Sequence, residues 1–297
     1  MRVFVTGASG WIGSAVVSEL LANGHQVLGL ARTDAAAAAV EAAGATAHRG
    51  DLDDLDSLRA GAAASDGVIH LAFKHDFSDF AGAGRTERAA VEAIAETLVG
   101  TDKPLLVAAG IAMLAPGRVL VETDVSPAVG PDAPRGGSER FALDYADRGV
   151  RSVALRFAPT VHGEGDHGFV STIVAVAREK GISGFVGDGA NRWPAVNRAD
   201  AARLVRLALE KAPAGSVVHA IAEEGIATRE IAEIVGRHLD LPVASIAPDA
   251  APAHFGWIGA FFGQDIPASS AITREQLGWT PTHPTLLEDL EAGYYFR

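Results

Sequence analysis

Residues 3–16 of this chain of 297 residues read "VFVTGASGWIGSAV" and carry its strongest structural signal. An apolar strand leads into three glycines, and an amphipathic helix follows them. Glycines at this spacing allow a tight turn, a close approach of the backbone to a pyrophosphate, and close packing of the helix on the strand. The N–H groups at the start of the helix are then available to the anion. The stretch predicts a dinucleotide site with contacts from Gly7, Ser9, Gly10, Trp11, Ile12 and Gly13.

Short apolar strands alternate with helical stretches through the first half of the chain: "VFVTG", "HQVLGLA", "ATAHRG", "GVIHLAF", "KPLLVAAG" and "VRSVALRFA". Parallel strands need crossover connections, so this alternation predicts a parallel sheet covered by helices on both faces. The expected fold class is α/β, a Rossmann-type doubly wound parallel sheet. The first helix should end at Asn23-Gly24, and the alanine run from Ala35 to Ala39 should be plain helix.

Past Pro159 the alternation gives way to glycine-rich loops and to connections that contain proline. We therefore expect a smaller C-terminal substrate lobe that is interleaved with the last elements of the main sheet. The predicted boundaries place residues 1–162 and 195–222 in the dinucleotide-binding domain, and residues 163–194 and 223–297 in the lobe.

The ends of the next three strands predict the rest of the cofactor's path. After the second strand, Ala31 stands where a carboxylate would hold a ribose 2′-OH, and Arg32 and Thr33 follow. An arginine there suits a 2′-phosphate, so we expect NADP in preference to NAD. Asp51 and Leu52 could meet the adenine, although a series of helix-capping aspartates is an equal alternative. The fourth strand brings Leu71, Ala72 and Phe73 to the same edge.

Composition limits the partners. The hydrophobic fraction is 48%, the formal net charge is −12, and no cysteine is present. An acidic chain without a run of Lys or Arg gives no electrostatic basis for binding nucleic acid or an anionic membrane. Without cysteine, disulfides and thiolate chemistry are excluded. Because Met1 leads directly into a strand and no apolar run reaches transmembrane length, we expect a soluble cytoplasmic protein.

Motifs along nearly the whole chain carry a family resemblance. They are "TGASGWIG" at 6–13, "GDL" at 50–52, "HLA" at 70–72, "LRFAPTVHG" at 155–163, "GDG" at 187–189 and "LGWTP" at 277–281. In this order they resemble the extended and atypical short-chain dehydrogenases/reductases, also described as the NAD-dependent epimerase/dehydratase family. The resemblance implies that Pro159, Val161 and His162 follow the sixth strand on a loop beside the nicotinamide.

The family's usual Ser/Tyr/Lys set is missing. The fifth strand offers Ala109 or its neighbour where Ser or Thr would be, and Tyr145 lies too far along the following helix. One register pairs Arg135 with Glu139 at the Tyr and Lys positions; the other pairs Gly136 with Arg140. The sequence is similar to an atypical branch with HxxxR in place of YxxxK, and only its arginine, Arg140, is present. Alternatively, the segment is a helix capped by Ser138 that packs on the sheet.

Histidines are the other candidates for a proton donor, because imidazole can deliver a proton near neutral pH. His75 follows the fourth strand with Lys74 and Asp76, and His162 follows the sixth. The catalytic candidates are therefore His75, His162 and Arg140. His162, Glu164, Asp166 and His167 also invite a metal interpretation, but glycines between them give no preset geometry, so we assign no metal.

The lobe suggests the substrate. Polar and aromatic side chains near the predicted cleft mouth include Asn191, Arg192, Trp193, Asn197, Phe255, Trp257, Phe261 and Phe262. Such a lobe suits an apolar or aromatic carbonyl compound better than a nucleotide-sugar, although the aromatics could equally form the lobe's core. Asp200 is assigned to capping or docking.

The leading hypothesis is an NADP-dependent oxidoreductase that reduces a carbonyl or similar polarised double bond. A catalytically silent NADP sensor and an epimerase or dehydratase remain as alternatives. Two predicted helices, "RTERAAVEAIAETLVG" and "GSERFALDYADRG", pack against their symmetry mates in the family, so we expect a homodimer.

Overall fold

The computed structural model describes residues 1–75, 79–112, 114 and 117–297. In chain order its strands are β1 Arg2–Thr6, β2 Gln26–Ala31, β3 Thr46–Arg49, β4 Gly67–His70, β5 Pro104–Gly110, β6 Arg151–Phe157, β7 Thr160–His162, β8 Ser183–Val186, β9 Arg192–Asn197, β10 Ser216–Ala220, β11 Glu223–Ala227 and β12 Val243–Ile246.

Its helices are α1 Trp11–Ala22, α2 Asp34–Ala42, α3 Leu55–Ala63, α4 Phe80–Leu98, α5 Ser138–Leu143, α6 Phe169–Lys180, α7 Arg198–Lys211, α8 Thr228–Leu239, α9 Ala251–Phe255, α10 Gly259–Phe262, α11 Ala271–Leu277 and α12 Leu286–Glu291. Short 3-10 turns cover Pro134–Gly137, Asp144–Arg148, Gly256–Ile258 and Tyr294–Phe296.

Among the described residues, seven strands form one parallel sheet in the order β10-β6-β5-β4-β1-β2-β3. Alternate residues of β1 point to opposite faces, which explains why the whole strand is apolar. Val3 and Val5 join the core beneath α1 and α7, whereas Phe4 joins the core beneath α3 and α4. This is the Rossmann-type doubly wound α/β fold that the sequence predicted.

The helix ends follow the local signals. α1 ends with Asn23 as its C-cap and Gly24 at φ +80°, and the alanine run lies inside α2. Ser138, however, is the first residue of α5 and not its N-cap, because Gly137 precedes it at φ +61° in the left-handed region. α5 spans only six residues before a 3-10 turn replaces it. The second long helix expected for a dimer interface is therefore short.

A smaller lobe covers one end of the main sheet. β11, β9 and β7 form one small sheet, and β12 pairs with β8 in another. Between β9 and β11 the chain returns to the main sheet through α7 and β10. Ala268, Leu277 and Trp279, which the predicted boundaries place in the lobe, pack in the hydrophobic core beneath α1 and α7. In the described part of the chain, none of the helices combines the length and apolarity needed to cross a membrane.

Candidate functional site

The three glycines of the first loop come together as a backbone cradle at the end of β1. Gly7 has φ +69°, and a Cβ atom there would lie 2.9 Å from the backbone nitrogen of Ala72. A Cβ on Gly13 would lie 1.9 Å from the carbonyl oxygen of Gly7. Neither position can accept a side chain unless the backbone moves. The close approach that a dinucleotide requires is therefore built into this turn.

The start of α1 supplies the electrostatic part of the cradle. Gly10 is its N-cap with no side-chain capping bond, and the first turn contains no acidic residue. The first N–H groups of a helix have no partner within the helix, and the helix dipole favours an anion beside them. Ser9 is exposed next to them. These residues fit the pyrophosphate of a dinucleotide.

Trp11 joins this cradle to the loop after β6. Its indole Nε1 donates to the carbonyl oxygen of Val161 at 2.7 Å, and the guanidinium of Arg198 lies 4.1 Å from its ring centroid. Arg198 also donates to the Trp11 carbonyl oxygen at 2.6 Å. A pocket of about 160 Å³ opens beside them, lined by Trp11, Ile12, Phe157, Ala158, Pro159, Thr160, Val161, Asp166, Gly168 and Phe169. Four predicted cofactor contacts thus share one cavity.

The predicted nucleoside contacts lie at the ends of β2 and β3. Arg32 is exposed, and it has no hydrogen bond or ion pair with another described residue. The Thr33 hydroxyl caps α2 by accepting from the backbone N–H of Ala36 at 3.1 Å. Asp51 accepts from the backbone N–H of Asp53 at 2.6 Å, and Leu52 is buried.

Sequence reasoning missed Arg49 at this edge. Its Nη1 donates to the Thr33 carbonyl oxygen at 2.8 Å, and its Nη2 pairs with Asp34. The parallel register places Arg49 beside Ala31, so its position follows from strand pairing and not from a motif. The edge therefore holds one engaged arginine and, in Arg32, a second without a partner among the described residues.

The end of β4 is tied to β1. The Thr6 Oγ1 atom accepts from the backbone N–H groups of Leu71 and Ala72 at 3.2 Å each. Leu71, Ala72 and Phe73 are half-buried, and Lys74 pairs with Asp53 at 2.6 Å. Asp76 lies outside the described residues.

The three catalytic candidates lie in different places. Arg140 is exposed on α5 and pairs with Asp144 at 3.3 Å, and it does not line the pocket at the end of β5. This follows because the turn before α5 points the other arginine of the segment, Arg135, into that pocket. His75 lies at the end of β4, with its ring 5.3 Å from the Phe73 ring. Partial burial and the charge of Arg135 lower the pKa of His75.

His162 is fully buried in the lobe. Its Nδ1 lies 2.5 Å from an Asp289 carboxylate oxygen, and its Nε2 lies 3.7 Å from Glu223. Burial opposes the charged imidazolium, but the hydrogen bond with Asp289 and the nearby carboxylate of Glu223 outweigh it and raise the pKa of His162. With no exposed surface, the ring lies between β7 and α12.

The loop after β7 does not assemble a metal site. Asp166 accepts from the Tyr295 hydroxyl at 2.9 Å, the His167 ring contacts Trp11, and Glu164 pairs with Arg297. Together with His162 these side chains diverge, and no cluster suited to a metal ion occurs within the described ranges.

The polar residues expected at the cleft mouth are mostly engaged inside the lobe. Asn191 donates to the carbonyl oxygen of Phe262, and Asn197 donates to Asp289. Trp193 is buried, and the exposed Arg192 pairs with Asp265. Asp200 accepts hydrogen bonds from the backbone N–H groups of residues 282 and 283. It therefore docks the C-terminal segment, and docking was one of its two predicted roles.

The aromatics form a cluster that borders the larger pocket. Phe255 and Phe262 are buried, whereas Trp257 is 45% exposed. The Phe169 ring, which lines the pocket, lies 5.3 Å from both Trp193 and Trp257. The cluster is therefore partly lobe core and partly pocket wall.

A second, smaller pocket of about 40 Å³ lies at the end of β5, where the missing Ser/Tyr/Lys set would stand. It is lined by Glu87, Ala108, Ala109, Gly110, Leu114, Ser126, Ala128, Pro134, Arg135, Gly137, Ser138 and Glu139. Both members of the Arg135/Glu139 register line it, and neither member of the Gly136/Arg140 register does. Tyr145 is remote, since its hydroxyl donates to Glu96 at 2.7 Å on the outer end of α4.

Comparison with known proteins places these features in a family. The model described as the NAD dependent epimerase/dehydratase family matches residues 3–106. The chain is 49% identical over 296 residues to an uncharacterized protein of Schizosaccharomyces pombe, covering all of both chains. It is 46% identical over 298 residues to an uncharacterized protein of Saccharomyces cerevisiae, covering 99% of each chain.

More distant relatives have named activities. A farnesyl-dihydroquinoline-oxide ketoreductase of Stigmatella aurantiaca is 29% identical over 234 residues, covering 73% of this chain and 67% of that protein. The dTDP-glucose 4,6-dehydratase structure from Streptomyces venezuelae, solved with NAD bound, superimposes with a TM-score of 0.78 at 22% identity, covering 99% and 97% of the two chains. The chain belongs to the NAD-dependent epimerase/dehydratase family.

Proposed function

We propose that the protein is an NADP-dependent reductase of small carbonyl compounds, apolar or aromatic in character. The observation that carries this proposal is the continuity of one edge of the sheet. The glycine cradle after β1, the half-buried end of β4 and the pocket after β5 are neighbours there, because β1, β4 and β5 are adjacent strands. In open α/β sheets, ligands bind outside the carboxyl ends of the strands.

The choice of NADP rests on the edge of β2. Arg32 is exposed and unpaired with any described residue, and no carboxylate stands at Ala31 to accept a ribose hydroxyl. A guanidinium suits a 2′-phosphate through charge-assisted hydrogen bonds. We assign the pyrophosphate to the N-terminus of α1 and the nicotinamide end to the cavity beside Trp11, Pro159 and Val161.

The cofactor, when bound, supplies a hydride, and the protein supplies position and a proton. We assign the proton to His75, which lies next to Phe73 at the end of β4. Its lowered pKa makes the imidazolium form of His75 a stronger acid than an ordinary histidine. His162 and Arg140 have no part in this step, because one is enclosed and the other lies outside the pocket.

Two alternatives stay in competition. The vacant Ser/Tyr/Lys positions favour a sensor that binds the cofactor without turnover, and family membership favours an epimerase or dehydratase. A nucleotide-sugar brings a diphosphate that needs unpaired cations. Among the described residues that line the smaller pocket, the one cation, Arg135, is already paired with Glu87.

The test is a turnover assay with NADPH and a panel of aldehydes and ketones. Oxidation of NADPH is measured as the loss of its absorbance. We expect oxidation with at least one uncharged carbonyl compound, and none with Gly13→Ala, whose Cβ would meet the Gly7 carbonyl oxygen at 1.9 Å. Ser18→Ala on the exposed side of α1 is the matched control and should behave like the unmodified protein. Binding of NADPH without oxidation would support the sensor. Conversion of a nucleotide-sugar without net cofactor change would support an epimerase or dehydratase.

A further inference from the structure

The smaller pocket contains an ion pair that replaces, in space, the missing tyrosine and lysine. Arg135 Nε donates to Glu87 Oε2 at 3.0 Å, and its Nη2 donates to Glu87 Oε1. The Glu87 side chain is 1% exposed and that of Arg135 is 24% exposed. A carboxylate so enclosed needs its partner, so the pair fixes the guanidinium at the pocket wall.

The backbone bends in an unusual way to bring these side chains together. Arg135 has φ +53°, and the two glycines after it also lie in the left-handed region. A non-glycine residue there costs on the order of 1 kcal/mol and persists only where its surroundings impose it. The imposed contact is with α4, since a Cβ on Gly84 would lie 2.7 Å from the Gly136 nitrogen. Arg88 secures it by donating to the Gly136 carbonyl oxygen at 2.9 Å.

The bidentate pair uses only part of the guanidinium. Nε and Nη2 are engaged, while Nη1 makes no hydrogen bond with another described residue. The guanidinium carbon lies 4.5 Å from the centroid of the Phe73 ring, at the end of β4. Arginine carries five N–H donors and no acceptor, so the two on Nη1 remain for an oxygen atom that enters the pocket.

The charges around the pocket select the kind of oxygen. Glu87 balances Arg135, and Glu139 is balanced by Arg156, whose Nη2 donates to it at 2.6 Å. The rest of the lining is mainly small and apolar, with Ala108, Ala109 and Leu114 among it. An anionic group would find no unpaired cation among the described residues of this pocket, whereas a carbonyl oxygen needs only a donor.

We propose that Arg135, held by Glu87, is the catalytic residue that donates hydrogen bonds from Nη1 to the carbonyl oxygen of an uncharged substrate. This proposal rests on the proposed reductase function and names the group that stabilises the developing oxyanion. It also replaces Arg140 as the electrostatic support of the reaction.

The step balances with the residues at hand. The carbonyl carbon receives the hydride from the reduced cofactor, the π electron pair moves onto the oxygen, and the Nη1 hydrogens stabilise its negative charge. The oxygen then takes a proton from His75, and the imidazole regains one from water. Arg135 donates hydrogen bonds in this step and gives up no proton. Removing a preorganised oxyanion donor costs about 10²-fold in rate.

A binding measurement tests the donor without turnover. The probe is p-(dimethylamino)benzaldehyde in the presence of NADP⁺, because its absorption band moves to longer wavelength when its carbonyl oxygen accepts a strong hydrogen bond. We expect the shift with the unmodified protein, no shift with Arg135→Met, and a partial shift with Arg135→Lys. Arg148→Met is the matched control, since Arg148 pairs in the same bidentate way with Glu96 of α4 but outside the pocket. It should retain the full shift.

Turnover and folding complete the test. Arg135→Met should lower kcat about 10²-fold with NADPH affinity unchanged. Because that variant leaves Glu87 buried without its partner, Glu87→Gln/Arg135→Met is measured beside it, with thermal unfolding to verify the fold. A folded double variant that keeps the shift or the rate overturns the assignment, as does an unmodified protein that gives no shift. A shift without NADPH oxidation refutes the reductase function and supports the carbonyl site, whereas undiminished oxidation in Arg135→Met refutes Arg135 and supports the reductase.

Discussion

Replacing Arg32 with alanine tests the cofactor assignment most directly. Arg32 follows β2, is exposed, and has no hydrogen bond or ion pair with another described residue, so its removal should leave the fold unchanged. NADPH and NADH differ only by the 2′-phosphate. A side chain that reads this phosphate should change the affinity for NADPH and leave the affinity for NADH as it was.

The magnitude follows from the exposure of the site. A hydrogen bond to a charged group contributes about 1.5–3 kcal/mol when it is protected from water. Arg32 is exposed and screened by solvent, so we take a value just below this range, about 1.4 kcal/mol, which corresponds to a factor of about 10 in Kd. We expect NADPH to bind at least about 10-fold more tightly than NADH, and Arg32→Ala to abolish the difference.

The assay is fluorescence titration of both cofactors with the unmodified protein, Arg32→Ala and Arg49→Ala. Arg49 is the control because it lies at the same edge but is engaged with Asp34 and with the Thr33 carbonyl oxygen. Its removal should change the NADPH/NADH ratio by less than about 3-fold. The ratio should also shrink as salt is raised, since exposed charges are screened. Equal affinities of the unmodified protein for both cofactors would refute the reasoning.

Three further predictions concern catalysis, stability and assembly. Tyr145→Phe should leave kcat unchanged and lower the free energy of unfolding by about 1 kcal/mol, because the hydrogen bond to Glu96 is lost. His75→Ala should lower kcat about 10²-fold at constant NADPH affinity, and equal kcat values for the two variants in steady-state assays would contradict this prediction. The pKa of His162 is raised above 6.5, so its contribution to stability is fully present below that pH and is lost as pH rises through the folded-state pKa. Urea unfolding measured across this pH range should show the loss in the unmodified protein and not in His162→Gln. Light scattering at micromolar concentration should give a homodimer that uses α4, and a monomer would contradict it.

The local signals were sufficient for the framework of the site. Three glycines between an apolar strand and a helix predicted the cradle, and Gly7 and Gly13 occupy positions where no Cβ fits. The order of apolar strands predicted the parallel sheet, because each strand's pattern reports whether its two faces are covered. Pro159 and Val161 were placed by resemblance, and they line one pocket with Trp11.

The direction in which polar side chains point could not be predicted from the local sequence. His162 looked like a loop residue beside the cofactor, yet it belongs to β7 and faces Asp289, which is 127 residues away in the chain. Strand residues alternate between two faces, and a shift of one position exchanges the cleft for the lobe's interior. Of the two registers proposed at the vacant tyrosine, only the one with Arg135 and Glu139 lines the pocket.

The dinucleotide cradle, the α/β class and the absence of the usual proton donor were predictable from the amino-acid sequence, because each depends on residue types within a short window. Which residues occupy the position of the missing donor became visible only in the folded chain. Glu87 and Arg135 are 48 residues apart, and they meet because two glycine backbones, Gly84 on α4 and Gly136 before α5, approach too closely for any side chain between them. Such a contact depends on how two elements cross, which no local pattern encodes.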